Sequence, residues 1–344
     1  MSFSRSNVVV TSLALIAVAV SIRPLFRTAM KLQSTSLDPD VGEIPVLTEG
    51  EIARRVAKKK IVLVGGTRGV GFGTALTLAK AGAEVMIVGR SKSSGTKAVD
   101  FIREQLPSSS NHDKVSYVTG DIGTVSSAKR LIEKLEKSPT RYDCLVVSAA
   151  TFPDWSQSLQ NEDGVEKSFG IAVVGRFLLY HNLSRFMNND VRVLNVLAGG
   201  TKFGPRFNKD IATGHRDPSF LFESMLTFAI GNDIMLEMLQ RRELDVKKNA
   251  TFVSTHPGII KTDLHRGQGI WFDAFESFMV MLNGISEETA GIRQTSILLS
   301  DELKLHSVSR VDSFMLGRVK DDNNGIEEHG EWIWEFLTKL EKEK

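Results

Sequence analysis

An α/β fold, a single Rossmann-like doubly wound parallel sheet with helices on both faces, is what three features of the sequence predict. Short β-branched runs recur without polar alternation, stretches of helical period separate them, and a glycine cluster directly follows the first run. Strands that are apolar on both faces belong to a sheet covered on both sides. Their strict alternation with helices is the pattern of a doubly wound sheet.

The elements follow in order. Candidate strands are Ile61–Val64, Glu84–Val88, Val115–Val118, Cys144–Val147, Val191–Val196 and Thr251–Thr255. Helical period marks Thr74–Ala81, Lys97–Gln105, Ser126–Lys137, Val165–Phe186 and Phe220–Glu243. The tail from Asp301 is less regular, with a strand expected around Ser313–Leu316 and an amphipathic helix from Glu331. No internal repeat or low-complexity tract interrupts the series.

At 344 residues and 42% hydrophobic, the chain carries enough apolar material for one large single-core domain. A formal charge of +2 gives no global field for nucleic acid, and Lys58-Lys59-Lys60 reads as a solvated edge. The single cysteine, Cys144, lies inside an apolar run and reads as a small hydrophobe; there is no disulfide framework and no Cys/His metal spacing.

The amino terminus differs from the rest. "SNVVVTSLALIAVAVSI", between Arg5 and Arg23, is uncharged and close to the lower limit of roughly 17 residues for spanning a bilayer. It reads as a retained signal anchor, a cleaved secretory signal with "AVA" at Ala17 to Ala19, or part of a mitochondrial leader, since no acid precedes Asp38. Exclusion of charge from the middle of the stretch favours the anchor. The excess of basic residues at Arg23, Arg27 and Lys31 then keeps the domain cytosolic, on an endoplasmic reticulum membrane, with a mitochondrial location as the alternative. The expected organisation is a leader or anchor over 1–31, a linker over 32–57 and one domain over 58–344. Two sequons, at Asn182 and Asn249, offer a check on sidedness.

Gly65, Gly69 and Gly71 open the first helix directly after the first strand. Glycine lets a backbone approach a pyrophosphate closely while the helix amino terminus presents free N–H groups to its charge. At the end of the second strand an acid would hold a ribose 2′-hydroxyl; here stand Gly89-Arg90-Ser91, with Arg68 in the glycine loop itself. Two guanidiniums at that corner favour a 2′-phosphate, hence NADP(H) over NAD(H).

The spacing Gly-x-x-x-Gly-x-Gly resembles that of the short-chain dehydrogenase/reductase family, and further motifs match in order. "GDI" at Gly120 to Ile122 is similar to the segment whose Asp contacts the adenine amino group. "VVSAA" stands in the place of the family's Asn-Ala-Gly, with Ser148 and Ala150 substituted, and "GVEKSFGIAVVGRFLLYHNL" resembles the long interface helix. "HPGIIKTDL" is similar to the Pro-Gly-x-x-x-Thr segment that covers the nicotinamide, at Pro257, Gly258 and Thr262. The resemblance, over about Lys60 to Leu264, implies a dinucleotide site formed by Gly65, Thr67, Arg68, Gly69, Val70, Gly71, Arg90, Asp121, Ile122, Ser148, Ala149, Pro257, Gly258, Ile260 and Thr262. It also implies a small-molecule carbonyl or alcohol substrate and a homo-dimer or larger assembly.

The family's catalytic set is missing. Hydride transfer to a carbonyl leaves an alkoxide that needs a proton donor, which the family supplies as a Tyr tuned by a Lys four residues on, helped by a Ser and a helix Asn. No Tyr-x-x-x-Lys occurs here. Counting back from Pro257 places Phe228 and Asn232 at the Tyr and Lys positions; Ala198 and Ala172 take those of the Ser and Asn. Two readings follow. In one, an atypical oxidoreductase draws its proton from the insertion Gly199 to Ser219, with Lys202 and His215 as the speculative donors. In the other, an inactive subunit keeps the fold and the dinucleotide. The segment His265 to Ile285, rich in Phe, Met and Trp, reads as a pocket for a bulky apolar carbonyl, a membrane-facing surface or ordinary core.

Overall fold

The structure, a computed structural model, describes Thr28 and residues 36–107, 112–151, 159–202, 206–218, 221–242, 250–260, 284–303, 307–320 and 325–344. The apolar stretch near the amino terminus lies outside these residues. Among the described residues no helix is long and apolar enough to cross a membrane.

Each of the six expected strands forms: β1 (Lys60–Val64), β2 (Glu84–Gly89), β3 (Val115–Thr119), β4 (Tyr142–Val147), β5 (Met187–Val196) and β6 (Ala250–Thr255). They join one parallel sheet in the order β3-β2-β1-β4-β5-β6, extended by parallel β7 (Val308–Val311) and antiparallel β8 (Gly317–Arg318). Alternate residues of β1 and β4 enter opposite apolar layers. Val62, Val64, Leu145 and Val147 face one core, and Ile61, Leu63, Cys144 and Val146 the other. Both faces of these strands are therefore dry, which is why their sequences carry no polar alternation. The order of strands turns back between β1 and β4, so a crevice opens beyond their carboxyl ends.

The helices around the expected centres are α2 (Gly69–Lys80), α3 (Lys92–Glu104), α4 (Val125–Glu136), α9 (Leu221–Arg242) and α11 (Ile326–Glu343). The single helix expected over Val165–Phe186 is instead broken into α5 (Lys167–Phe169), a π-helical turn (Gly170–Val174), α6 (Gly175–His181) and α7 (Leu183–Phe186). Its two glycines mark the π segment's bounds. A Cβ on Gly175 would lie 2.0 Å from the carbonyl oxygen of Ile122, so glycine is what lets this helix rest on the end of β3. Beyond β5, the insertion carries the short α8 (Lys209–Ala212).

Two helices escaped the periodicity. α1 (Glu49–Val56) lies within the stretch read as a linker, started by a reciprocal capping box between Thr48 and Glu51. From Val41 to Val56 this stretch buries Val41, Ile44, Leu47, Ile52 and Val56, and bridges join Leu37 to Arg318 and Glu43 to Leu316. Its described part is thus built into the sheet edge rather than left as a tether, because apolar residues every three to five positions gave it a face to bury. α10 (Glu287–Leu299), capped by Ser286, crosses α2 at Gly73 and Gly291, where a Cβ on Gly73 would fall 1.9 Å from the carbonyl oxygen of Glu287. The strand expected around Ser313–Leu316 is a turn: Asp312 Oδ1 accepts the amides of Phe314 and Leu316, and Met315 has φ +64°.

α11 covers the long-helix face from within the chain. Trp334 meets Phe177 edge-on, His181 Nδ1 lies 2.6 Å from Glu341 Oε2, and Arg242 pairs with Glu331.

Candidate functional site

A cleft of about 300 Å³ opens at the carboxyl ends of β1, β2, β3 and β4. Its floor begins with Gly65, whose φ of +92° and whose Cβ position, 2.4 Å from the amide nitrogen of Ala149, both require glycine. Gly71 stands behind the loop, where a Cβ would lie 2.3 Å from the carbonyl oxygen of Gly65 and would push α2 off β1. Thr67, Arg68, Gly69 and Val70 form the near wall. Gly69, with φ +60°, donates its amide to Glu287 Oε1 at 2.8 Å, so a carboxylate from α10 caps the amino terminus of α2. Periodicity gave no sign of that contact, which depends on the crossing of α2 and α10.

The corner beyond β2 is held by a residue the sequence reading passed over. Tyr117 Oη donates to the carbonyls of Gly89 at 2.6 Å and Ser91 at 2.9 Å, and Gly95 leaves room for its ring. This clamp fixes the start of α3, where Ser91 Oγ accepts the Ser94 amide and Arg90, exposed, borders the cleft. Arg68 and Arg90 line the same cleft, as do Ser91 and Ser94.

Asp121 and Ile122 form the third side. Asp121 Oδ1 accepts the amides of Ile122 and Gly123 at 2.8 and 3.1 Å, an Asx turn that sets the carboxylate's direction. Ser148 and Ala149 close the fourth, their amides bonded to the carbonyl of Val64. Pro257, Gly258 (φ +87°) and Ile260 follow β6 and are not among the residues lining this cleft; Ile260 instead bridges Ile285. Thr262 lies outside the described residues, as does most of His265 to Ile285.

The family model described as short chain dehydrogenase matches residues 59–204. Retinol dehydrogenase 13 of Mus musculus is 27% identical over 233 residues, 64% of each chain. Over that segment the chain resembles the short-chain dehydrogenase/reductase family. The WW domain-containing oxidoreductase of Drosophila melanogaster is 24% identical over 61% of this chain and 51% of its own. The chain thus spans about half to two thirds of the length of these two relatives. In fold it is similar to the Pseudomonas aeruginosa RhlG/NADP active-site complex, with a TM-score of 0.55 and 19% identity over 76% of this chain and 98% of that one. It is also similar to a short chain dehydrogenase from Burkholderia cenocepacia in complex with NADP, with a TM-score of 0.50 and 20% identity over 69% and 89% of the two chains.

Beside the cleft is a buried polar network. Asn195 on β5 is its hub: Oδ1 accepts from Arg176 Nη1 and from Tyr180 Oη at 2.7 Å, while Nδ2 donates to Asn232 Oδ1 at 2.9 Å and Ser254 Oγ at 3.0 Å. Asn232 Nδ2 donates in turn to the carbonyl oxygen of Ala172 at 2.7 Å. Phe228 is buried in the same core, and Ala198 packs against it. Burial pushes the Tyr180 phenol up to about 12, so it holds its proton. Arg176, Tyr180 and Ser254 were not singled out in the sequence; the signal available was a charged residue in the middle of an apolar helical stretch.

Lys202 and His215 are exposed and do not line the cleft; His215 Nδ1 lies 2.6 Å from Thr213 Oγ1.

Proposed function

We propose that this protein is an NADP(H)-dependent oxidoreductase of the short-chain type, acting on a carbonyl or alcohol of an apolar substrate through substituted catalytic positions. The observation that carries the cofactor is the corner beyond β2: two guanidiniums, the hydroxyls of Ser91 and Ser94 and the amino terminus of the 13-residue α3 meet there, with no carboxylate in the lining at the end of β2. Gly65 and Gly71 let the loop pack closely on Ala149 and on its own backbone, which sets the amino terminus of α2 at the cleft, where a pyrophosphate would lie. When bound, the dinucleotide supplies the hydride. Asp121 is the partner for the adenine amino group, and Ser148 and Ala149 form the floor on which the ring system ends.

The proton is the open part of the chemistry. Ala172, Ala198, Phe228 and Asn232 have no group able to donate one at neutral pH. Lys202 and His215 are proposed to supply it from the insertion, by closing over the site. Aromatic and methionine residues between His265 and Ile285 support an apolar substrate. Incubation of the purified protein with NADPH and a panel of aliphatic, isoprenoid and aromatic carbonyls, followed at 340 nm, tests the reading. Consumption that falls on changing His215 or Lys202 supports it.

A second reading rests on Asn232 and Ala172, which satisfy each other inside a network closed to solvent. In that reading the chain binds the dinucleotide without turnover and serves as a regulatory or structural subunit, and tight NADPH binding with no consumption across the panel is its signature. In both, the apolar stretch near the amino terminus is proposed to hold the protein at a membrane with the domain in the cytosol. Carbonate extraction leaving full-length, unglycosylated protein in the pellet supports this; a shortened soluble product overturns it.

A further inference from the structure

Arg176 is fully enclosed, with 0% of its surface exposed, and among the described residues it forms no salt bridge. Its guanidinium is held by oxygens that bear no formal charge: Asn195 Oδ1, the Ala149 carbonyl at 2.9 Å and the Val196 carbonyl at 3.0 Å. Its Nε has no partner among the described residues. The titratable group beside it is Tyr180, which is neutral. Arginine keeps its proton in protein interiors, so a whole positive charge stands beside the cleft with no countercharge among the described residues.

Such a charge is costly to bury and needs a reason. Its surroundings give one. Ala149, whose carbonyl it holds, lines the cleft at the carboxyl end of β4, where the ring system of the proposed dinucleotide would end, and Asn195 ties it to Asn232 and the Ala172 carbonyl. The oxidised nicotinamide ring is cationic and the reduced ring is neutral.

Building on the dinucleotide reading above, we infer that Arg176 sets which redox form of the dinucleotide this protein holds: its charge disfavours the oxidised form and leaves the reduced form unopposed. Arg176 is here a positioning and selecting residue, since it touches backbone and Asn195 rather than the reacting atoms. A protein so built rests in its NADPH-loaded state and releases NADP⁺ readily.

Dissociation constants of the full chain for NADPH and NADP⁺, measured by calorimetry, test this. The parent is expected to bind NADPH about tenfold more tightly than NADP⁺, the scale of two like charges about 12 Å apart at an effective dielectric of about 20. Arg176→Lys should retain the ratio and Arg176→Gln should bring it towards one. Asn195→Asp sets a carboxylate against the guanidinium with little change of shape, and it should lower the ratio similarly even where Arg176→Gln does not fold. Loss of affinity for both forms by the same factor in these variants would mean a packing role and would overturn the inference. Equal affinities in the parent would overturn it as well, while leaving the dinucleotide reading intact. Absence of binding in either form removes both.

Discussion

Asn232 Nδ2 donates to the carbonyl oxygen of Ala172 across 2.7 Å, so the α9 amide is tied to the backbone of the π-helical turn. Asn232 Oδ1 is taken as well, by Asn195. The amide therefore has a structural task that a lysine could not inherit, since an ammonium donates but cannot accept.

Restoring the family's residues with a Phe228→Tyr/Asn232→Lys pair is accordingly expected to harm the protein. Lysine at 232 takes away one of the two acceptors of Asn195 Nδ2, leaving Ser254 Oγ, and brings a second cation into the network that already holds Arg176. The cost should be about 2–4 kcal/mol of unfolding free energy, read by urea denaturation, with no gain in NADPH-dependent turnover. Unchanged stability together with faster turnover would show that the network is plastic.

The strands were legible because each is dry on both faces and short, and the glycine loop because three residue identities carry its geometry. Cys144 also reads correctly from its apolar neighbours: it is buried, and burial pushes its thiol up to about 11. What the sequence concealed depends on contacts distant along the chain. Gly69 and Glu287 meet only because α2 and α10 cross at two glycines. Arg176 looked like one polar residue on a helix, and only the fold shows its guanidinium reaching the carboxyl ends of β4 and β5. The long helix broke at a π turn because Gly170 and Gly175 lie against other backbone, which a periodicity of 3.6 does not register.

Gly65→Ala should abolish dinucleotide binding and cost about 2 kcal/mol or more in stability, since φ of +92° and a Cβ 2.4 Å from the Ala149 amide act together. Gly82→Ala is the control. It shares a positive φ, +91°, but meets open space, so it should lose stability alone and keep its affinity for NADPH. Equal effects of the two on binding would detach Gly65 from the site.

The α11 docking should loosen in acid. Burial pushes the Glu341 carboxyl up, but hydrogen bonds from His181 and Asn182 outweigh it and hold the group below its ordinary 4.5. The folded value is the lower one, so the stabilisation is complete above about pH 4.5 and is lost as pH falls through the folded value. Trp334, which packs on Phe177 and His181, reports the change through its fluorescence. Glu341→Gln should cost roughly 1 kcal/mol at pH 7 and flatten the acid limb. The same cluster bears on sidedness: Asn182 Nδ2 donates to Leu178 and Glu341, so this sequon's amide is engaged in folded protein.

Arg90→Asp should narrow or invert the preference for NADPH over NADH. Arg90 is exposed, so the substitution removes no core packing, and Tyr117 keeps the corner in place through the carbonyls of Gly89 and Ser91. An acid there accepts from a ribose 2′-hydroxyl and repels a 2′-phosphate. Two opposite effects from one position should move the affinity ratio by about a hundredfold, twice a charged pair's usual contribution on a logarithmic scale. Tyr117→Phe should weaken both cofactors alike, because it loosens the corner without changing its charge. If the parent binds NADH as tightly as NADPH, or if Arg90→Asp leaves the ratio where it was, the 2′-phosphate does not rest on this corner and the choice of NADP(H) fails with it.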